Sequence, residues 1–506
     1  MVDRRVGAWR LLFLVSLWLL MASTAPPLPG QAMAHRGWVG NGFAVDTWWK
    51  EAVFYEIDPL DFQDSNGDGF GDLPGLTTRL DYLQTLGVDV IVLSPFRVQS
   101  ASPQATPKQA TPKQATGQQA WGAIYGTDED FDKLEQEAGR RHMRLIVDLM
   151  LDGTQSAEEV AATGRFWLGR GVAGLALRRD VSGQALSTDE TAARVRMLRH
   201  LCASYAGDRV LIGDLAESRS DVPRSSPVQA GGRNRTSRGG SAASLPQVGL
   251  DQAPQQLSQW TAATVRGVLQ SETNNERVRL LRSDAPDMVR TAGRLAGGAD
   301  VKVQLQIAEQ LAVLLFTGRE WPLLYFGQEI GMTSKAGEDG PAPMQWGGDP
   351  GFSTTTPWVA MGPNAATVTV TKQDGDQASL LNWYRKLSAL RHSLAALRTG
   401  TLILLDSPDP DIVAWVRRET HGAPVLVVMN LSHRPMVVSM HQSLHRAGLE
   451  ASSGIRPLAI SPAGATVSFT ASSLALEAYG TYVGELRQAG LEAASTPPKH
   501  GRHRAR

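Results

Sequence analysis

Apolar and polar positions between residues 48 and 96 predict a strand, a helix and a second strand. The first strand is expected over 53–57, where the sequence reads VFYEI and is rich in β-branched and aromatic residues. Leu80, Leu83 and Leu86 recur at helical spacing and predict a helix over 78–86, which Gly87 ends. A second strand follows over 88–93, VDVIVL. Two buried strands joined by a helix indicate a parallel sheet covered by helices.

Further along the chain the pattern changes twice. Leucines and a tyrosine on one face predict an amphipathic helix over 376–391 that ends the first domain. From Ala395 onward, short β segments separated by Pro, Gly, Asp and Ser turns predict a small antiparallel sandwich. These segments are 402–405, 412–416, 425–430, 437–440, 467–470 and 482–483. A chain of 506 residues has room for one large barrel and this smaller domain.

An acidic, glycine-rich loop, DSNGDGFGD, joins the first strand to the first helix at 64–72. Oxygen-bearing side chains on alternate residues, with glycines that let the chain curl, suit a hard cation such as Ca²⁺. The loop has no glutamate at the twelfth position, so it is not an EF-hand. From spacing alone, a solvated turn of Asp, Asn and Gly residues is an equally good interpretation.

The whole stretch resembles the opening of the α-amylase superfamily of glycoside hydrolases (family 13), especially the α-glucosidases and oligo-1,6-glucosidases. In that family the first strand is followed by a DSNGDGxGD calcium loop and by an LDYLxxLGVDxIxLSP helix and strand. The resemblance implies an α/β fold, a (β/α)8 TIM barrel with a C-terminal antiparallel β-sandwich. It also implies a structural calcium ion, whose ligands would be Asp64, Asn66, Asp68, the Phe70 carbonyl and Asp72.

The resemblance and the residue pattern together divide the chain into a leader, two domains and a tail. Three arginines, an apolar run from Leu11 to Ala22 and a small-residue cleavage site predict a signal peptide over 1–34, with an uncleaved anchor as the alternative. The barrel is expected over 48–392 and the sandwich over 393–486. Disordered insertions are expected near 99–120 and 218–247, and a disordered basic tail over 487–506.

Composition limits the partners. The chain has 50 basic and 50 acidic side chains, so neither nucleic acid nor another charged polymer is expected as a partner. Its only cysteine is Cys202, so no internal disulfide is possible. We expect a secreted or periplasmic protein with no membrane span once the signal is cleaved.

Two family motifs of the substrate cleft are altered. The strand LIVDL at 145–149 matches the family's VILDLVxNH, and Asp148 falls on the family aspartate, a substrate-binding position. The family's next Asn and His become Asp152 and Gly153. Only a short segment separates Gly153 from Phe166, where sugar-cleaving members insert a long subdomain, so this cleft subdomain is essentially absent.

The catalytic positions are altered as well. The segment FWLGRGVAGLALR at 166–178 corresponds to FWLxxGVDGFRLD, which puts Arg178 on the nucleophilic aspartate and Ala176 on its supporting arginine. The general acid/base falls on Asp214. In the stretch 268–277, Asn274 matches a substrate-binding asparagine, and Glu276 replaces the third catalytic aspartate.

Arginine cannot be a nucleophile, because it stays protonated and offers only donors. We therefore expect an exported family member of impaired or absent activity, acting as a glucan- or protein-binding scaffold, with Arg178 in a salt bridge to Asp214 or Glu276. Heavy subunits of heteromeric amino-acid transporters share these losses, and their fourth strand resembles residues 177–180. Two alternatives remain open. One is an active but altered α-glucosidase or transglycosidase, and the other is a membrane-tethered accessory subunit.

Overall fold

The computed structural model describes residues 48–98, 113–114, 124–151, 153–179, 186–213, 247–251, 259–274, 279–286, 288–295, 299–333, 342–407, 409–420, 422–449, 454–462, 469–470 and 473–486. The predicted leader, the predicted tail and most of the two predicted insertions lie outside these residues. Within the first insertion, Lys113–Gln114 is described and pairs antiparallel with Arg97–Val98.

Eight parallel strands close into a barrel, in agreement with the fold that the resemblance implies. Each strand pairs with the next along the chain, and the first also pairs with the last, since Phe54 lies opposite both Val90 and Leu323. The strands are β1 Phe54–Ile57, β2 Val90–Leu93, β3 Arg144–Leu151, β4 Gly174–Arg179, β5 Val210–Gly213, β6 Gln247–Asp251, β7 Arg279–Leu281 and β8 Trp321–Tyr325.

Helices cover the outside of the barrel. The helix predicted over 78–86 is α2 Leu80–Leu86, and Arg79 separates it from an additional helix that was not predicted, α1 Leu73–Thr78, which Asp72 caps. Gly87 ends α2 with a left-handed φ of 81°, a conformation that favours glycine. The remaining helices up to residue 398 are α3 Asp128–Arg140, α4 Ala157–Gly169, α5 Thr188–Ser204, α6 Ala262–Asn274, α7 Thr291–Leu295, α8 Val301–Thr317, α9 Val370–Asp374, α10 Leu380–Ser393 and α11 Ala395–Arg398. None of the helices in the described part of the chain combines the length and hydropathy needed to cross a membrane.

Alternate strand residues belong to two different cores. Outward-facing residues such as Tyr55 and Ile91 pack with the helices in one large cluster. Inward-facing residues such as Phe54, Val92 and Ile146 fill the barrel itself. This apolar filling ends toward the carboxyl ends of the strands, where the next inward positions are polar.

The C-terminal domain is the predicted sandwich. A five-stranded antiparallel sheet and a three-stranded sheet share a second apolar core. The strands are β9 Thr401–Leu405, β10 Ile412–Arg418, β11 Val425–Asn430, β12 Met436–Val438, β13 Ile455–Ser461, β14 Phe469–Thr470, β15 Ser473–Leu476 and β16 Thr481–Leu486, with one short helix, α12 His441–Arg446. Sequence analysis missed β13, β15 and α12. In β13 the register shifts after Pro457, and a proline argues against a regular strand.

Candidate functional site

The centre of the barrel carries four charged side chains where its apolar filling ends. Glu56 of β1, Asp148 of β3 and Arg178 of β4 each follow an inward-facing apolar residue by two positions, so they also point inward. Arg282 comes directly after β7. The carboxyl ends of barrel strands are where enzymes of this fold place their catalytic groups.

Arg178 bridges the two carboxylates. Its Nε donates to Asp148 Oδ2 at 2.8 Å, and its Nη2 donates to Glu56 Oε1 in a close ion pair. Arg282 Nη1 lies 3.6 Å from the other Glu56 oxygen, Oε2. The Glu56 and Asp148 side chains are only 2% and 4% exposed, whereas that of Arg178 is 25% exposed. The arginine therefore covers two buried carboxylates from the side of the solvent.

The electrostatics follow from this burial. Burial raises the pKa of the Asp148 carboxyl, and although Arg178 lowers it, the pKa reaches about 6. Burial also lowers the pKa of the Arg178 guanidinium, but attraction to Asp148 and Glu56 outweighs burial and holds the pKa above its ordinary value. Two carboxylates and two guanidinium groups balance, so we refer to Glu56, Asp148, Arg178 and Arg282 as the neutral ion network.

Three buried polar atoms near the network have no hydrogen-bond partner within the described residues. They are Ser94 Oγ, just after β2, the second Asp148 oxygen, Oδ1, and Tyr325 Oη, at the end of β8. Buried polar groups are rarely left unpaired, so ordered water or the hydroxyls of a ligand would satisfy them.

The acidic loop at 64–72 is held together by its own hydrogen bonds. Asp64 Oδ1 accepts from the Gly67 amide at 2.7 Å, and its Oδ2 accepts from the Gly69 amide at 2.9 Å and from Ser353 Oγ at 2.6 Å. Asp72 Oδ1 accepts from the Gly75 amide at 2.6 Å and thereby caps α1. Within the described residues, no three His, Cys, Asp or Glu side chains are arranged to hold a metal ion. The calcium site therefore stays a prediction.

The loop and the residues just before it are also fixed to a distant segment of the chain, 346–358. Trp346 Nε1 donates to the Phe62 carbonyl at 2.6 Å, and the Trp358 amide donates to the Gly69 carbonyl at 2.9 Å. Phe70 stacks on Trp358 with ring centroids 5.7 Å apart. The loop therefore has a defined position on the barrel.

Comparison with known proteins decides the family. The model of the α-amylase catalytic domain matches residues 56–181 and 242–400, more than half of the chain. The chain belongs to the α-amylase family.

Among its relatives, the oligo-1,6-glucosidase of Halalkalibacterium halodurans is 26% identical, and the match covers 76% of this chain and 91% of that protein. The trehalose-6-phosphate hydrolase of Escherichia coli is also 26% identical, with the same coverage of 76% and 91%. Trehalulose synthase from Pseudomonas mesoacidophila has a solved structure that matches with a TM-score of 0.66 at 21% identity, over 87% of this chain and 99% of that chain, which shows the fold alone.

Only part of the predicted α-amylase site lies in the described residues. Asp148 lies at the barrel centre, and so does Arg178, the residue at the nucleophile position. Asp214 and Glu276 lie outside the described residues, so a salt bridge from Arg178 to either of them is untested. The partners that the structure describes for Arg178 are Glu56 and Asp148.

The placement of Asn274 in the substrate site is wrong. Asn274 is the last residue of helix α6, which precedes β7. In a (β/α)8 barrel each helix runs back antiparallel to the strands, so its last residue lies at the end opposite the active face. Residues 268–274, which belong to this helix, therefore do not occupy the place of the family's seventh strand end.

Three site residues were missed by sequence analysis: Asp284, Glu56, and Arg282, which lies two residues before Asp284. Asp284 is the first carboxylate after β7, is buried, and accepts from the Thr291 amide at 2.6 Å through Oδ1. The sequence LLRSD at 280–284, an apolar pair followed by polar residues, was the available signal for a strand end. Glu56 was the second. A lone glutamate in the apolar run VFYEI needs a partner when buried, and this could have marked it.

Proposed function

We propose that this member of the α-amylase family is exported, binds an α-glucan or oligosaccharide, and does not hydrolyse it by the retaining mechanism. The observation that carries the proposal is the ion pairing of Arg178 with Glu56 and Asp148 at the barrel centre. Retaining glycosidases need two carboxyl groups about 5 Å apart, one of which attacks the sugar. An arginine at that position has no lone pair to attack with.

The charge at this position also opposes the chemistry. The transition state of glycoside hydrolysis develops positive charge on the sugar ring. A guanidinium close to the sugar opposes this positive charge, although the ion pairs of Arg178 with Glu56 and Asp148 offset part of the repulsion. Ser94 Oγ and Tyr325 Oη, which have no hydrogen-bond partner among the described residues, are compatible with a hydroxyl-bearing ligand nearby.

Hydrolysis assays on the purified protein test the catalytic half of the proposal. The substrates are p-nitrophenyl α-glucoside and panels of malto- and isomalto-oligosaccharides, and the matched variants are Asp214→Asn and Asp284→Asn. We expect no turnover by the wild-type protein above that of either variant. Turnover that disappears in the variants would overturn the proposal.

Calorimetric titration with the same oligosaccharide panels tests the binding half. We expect saturable heat with at least one of the two linkage types. If a folded protein gives none, glucan binding is wrong, and a protein partner becomes the candidate.

The names of the relatives favour a second function, an active but altered α-glucosidase or transglycosidase. Oligo-1,6-glucosidases match over most of their length, for example over 91% of the Halalkalibacterium protein. Here Asp214 and Asp284 would have to form a new carboxylate pair. Turnover that either variant removes would support this function, and product analysis would then separate hydrolysis from transfer.

Export is the remaining part of the proposal, and it rests on the residue pattern of 1–34. N-terminal sequencing of the secreted protein is expected to start near His35. A chain that keeps its first residues and stays with the membrane fraction would instead favour the membrane-tethered accessory subunit.

A further inference from the structure

We infer that Glu56 and Arg282 are positioning residues for Arg178, and that the neutral ion network is a mutually dependent unit that fills the barrel centre. The network joins β1, β3, β4 and the end of β7, four of the eight barrel strands. The inference concerns this interdependence and holds whether or not the protein hydrolyses a glucan.

Balance of charge is the first argument. With all four members present, two negative and two positive groups share one buried volume. Removing one member of such a set leaves an uncompensated buried charge, which is far more harmful than removing an oppositely charged pair together. The loss of Arg178 alone leaves Arg282 as the single cation of the network beside Glu56 and Asp148.

Geometry is the second argument. Arg178 uses different nitrogens for the two carboxylates, Nε for Asp148 and Nη2 for Glu56. The planar guanidinium fixes the angle between these donors, whereas the ammonium of a lysine presents a single nitrogen. Both carboxylates belong to strands within the barrel, so their positions are set by the backbone rather than by the arginine.

A consequence follows for the nucleophile position. Replacing Arg178 by the family's aspartate would place three carboxylates in the buried centre with Arg282 as the one cation of the network. Such a variant is expected to be less stable and inactive.

A double-mutant cycle tests the inference. The variants are Arg178→Met, Glu56→Gln and the double variant, and the measurement is the unfolding equilibrium in urea. Each single variant is expected to raise the unfolding equilibrium constant on the order of a hundredfold or more. The network of the double variant is again neutral. The double variant is therefore expected to lose less free energy of unfolding than the two single variants lose together. The exposed pair Arg165 and Glu158, treated in the same way, should give small and additive effects.

Two further measurements keep the test decisive if Arg178→Met does not fold. Arg178→Lys retains the charge but not the bridge, and its midpoint is expected between those of the wild type and Glu56→Gln. Arg282→Met removes the longer 3.6 Å contact, so it is expected to lower stability less than Glu56→Gln does. Adding Glu56→Gln to Arg282→Met is expected to restore part of the lost stability. Additive effects throughout, or an Arg178→Lys variant as stable as the wild type, would overturn the inference. None of these experiments measures sugar hydrolysis. A result that contradicts the interdependence of the network therefore leaves the proposed function untouched.

Discussion

Glu309 is a buried carboxyl whose described partner is a hydroxyl rather than a cation. It lies on α8, is 6% exposed, and accepts a hydrogen bond from Ser461 of the C-terminal domain. Burial raises its pKa from 4.5 to about 7, although the Ser461 hydroxyl lowers it somewhat. The folded protein therefore holds this proton more tightly than the unfolded chain does. The stabilising contribution is fully present below about pH 4.5 and is lost as the pH rises through 7.

We predict that Glu309→Gln flattens part of the pH dependence of stability. For this one group, the free energy of unfolding should fall by about 2 kcal/mol between pH 5 and pH 8 in the wild type. In the variant this fall should be missing. Urea denaturation at the two pH values measures the difference. The control is Glu158→Gln, an exposed residue of α4, which should leave the wild-type slope unchanged. If the free energy of unfolding of Glu309→Gln falls between the two pH values as much as that of the wild type, Glu309 does not titrate in this range.

At the scale of elements, the end of helix α8 shows how an apolar helix is terminated inside the protein. The last carbonyls of a helix have no partner within it, and here they are buried. Arg417 of β10 donates to the Thr317 carbonyl at 3.0 Å, and Arg391 of α10 donates to the Phe316 carbonyl at 3.1 Å. Both arginines are fully buried. Positive side chains at a helix C-terminus also complement the helix dipole.

We predict that Arg417→Met lowers the free energy of unfolding by about 3 kcal/mol, because it removes the side-chain donor to the buried Gly318 and Gly400 carbonyls and one of the two to the Thr317 carbonyl. The neighbouring Arg418 is exposed on the same strand, and Arg418→Met should change stability by less than about 0.5 kcal/mol. Urea denaturation of the two variants gives the comparison. Equal effects would mean that the cap does not contribute.

The acidic loop allows a second prediction at this scale. If the loop binds calcium, an excess of chelator should lower the melting temperature of the wild-type protein, and added calcium should restore it. Asp68→Asn keeps an acceptor for the Phe70 amide but removes the charge, so this variant should no longer respond to calcium. Asp189→Asn, in the first turn of α5, is the matched control and should respond like the wild type. A wild-type protein that ignores both chelator and calcium would refute the site.

Elements with strong periodicity were predictable, and contacts between distant elements were not. The strands at 54–57 and 90–93 follow from local runs of apolar residues. The partner of Glu56 could not be read from such a run, because Arg178 is 122 positions further along the chain. Strand β7 has only three residues, too few to give a recognisable pattern. The family's third catalytic aspartate was therefore placed in the stretch 268–277, part of which is helix α6. The barrel was therefore predictable from motifs, whereas the ion network required the closed sheet.

At the scale of the whole molecule, the barrel and the sandwich share one core. Residues on the face of the five-stranded sheet that points away from the three-stranded sheet, including Val413, Trp415 and Val427, belong to the same apolar cluster as the outer face of the barrel. Polar contacts follow this boundary, for example from Gln310 Nε2 to the Asn430 carbonyl at 2.8 Å. Neither face could stay exposed to water without a large loss of apolar burial. The two domains are therefore expected to unfold as one unit.

Trp415→Ala tests this cooperativity. The side chain of Trp415 is fully buried and its Nε1 donates to the Thr317 carbonyl of the barrel at 3.3 Å, so truncation should lower the free energy of unfolding by about 4 kcal/mol. Hydrogen exchange at increasing urea should show amides of β1–β3 and of β9–β11 losing protection together, at a lower concentration than in the wild type. Val437→Ala, at a position 73% exposed, should shift neither group. A defect on one side of a common core should weaken the strands on both sides of it. If the sandwich opened first while β1–β3 kept wild-type protection, the shared core would not couple the two domains.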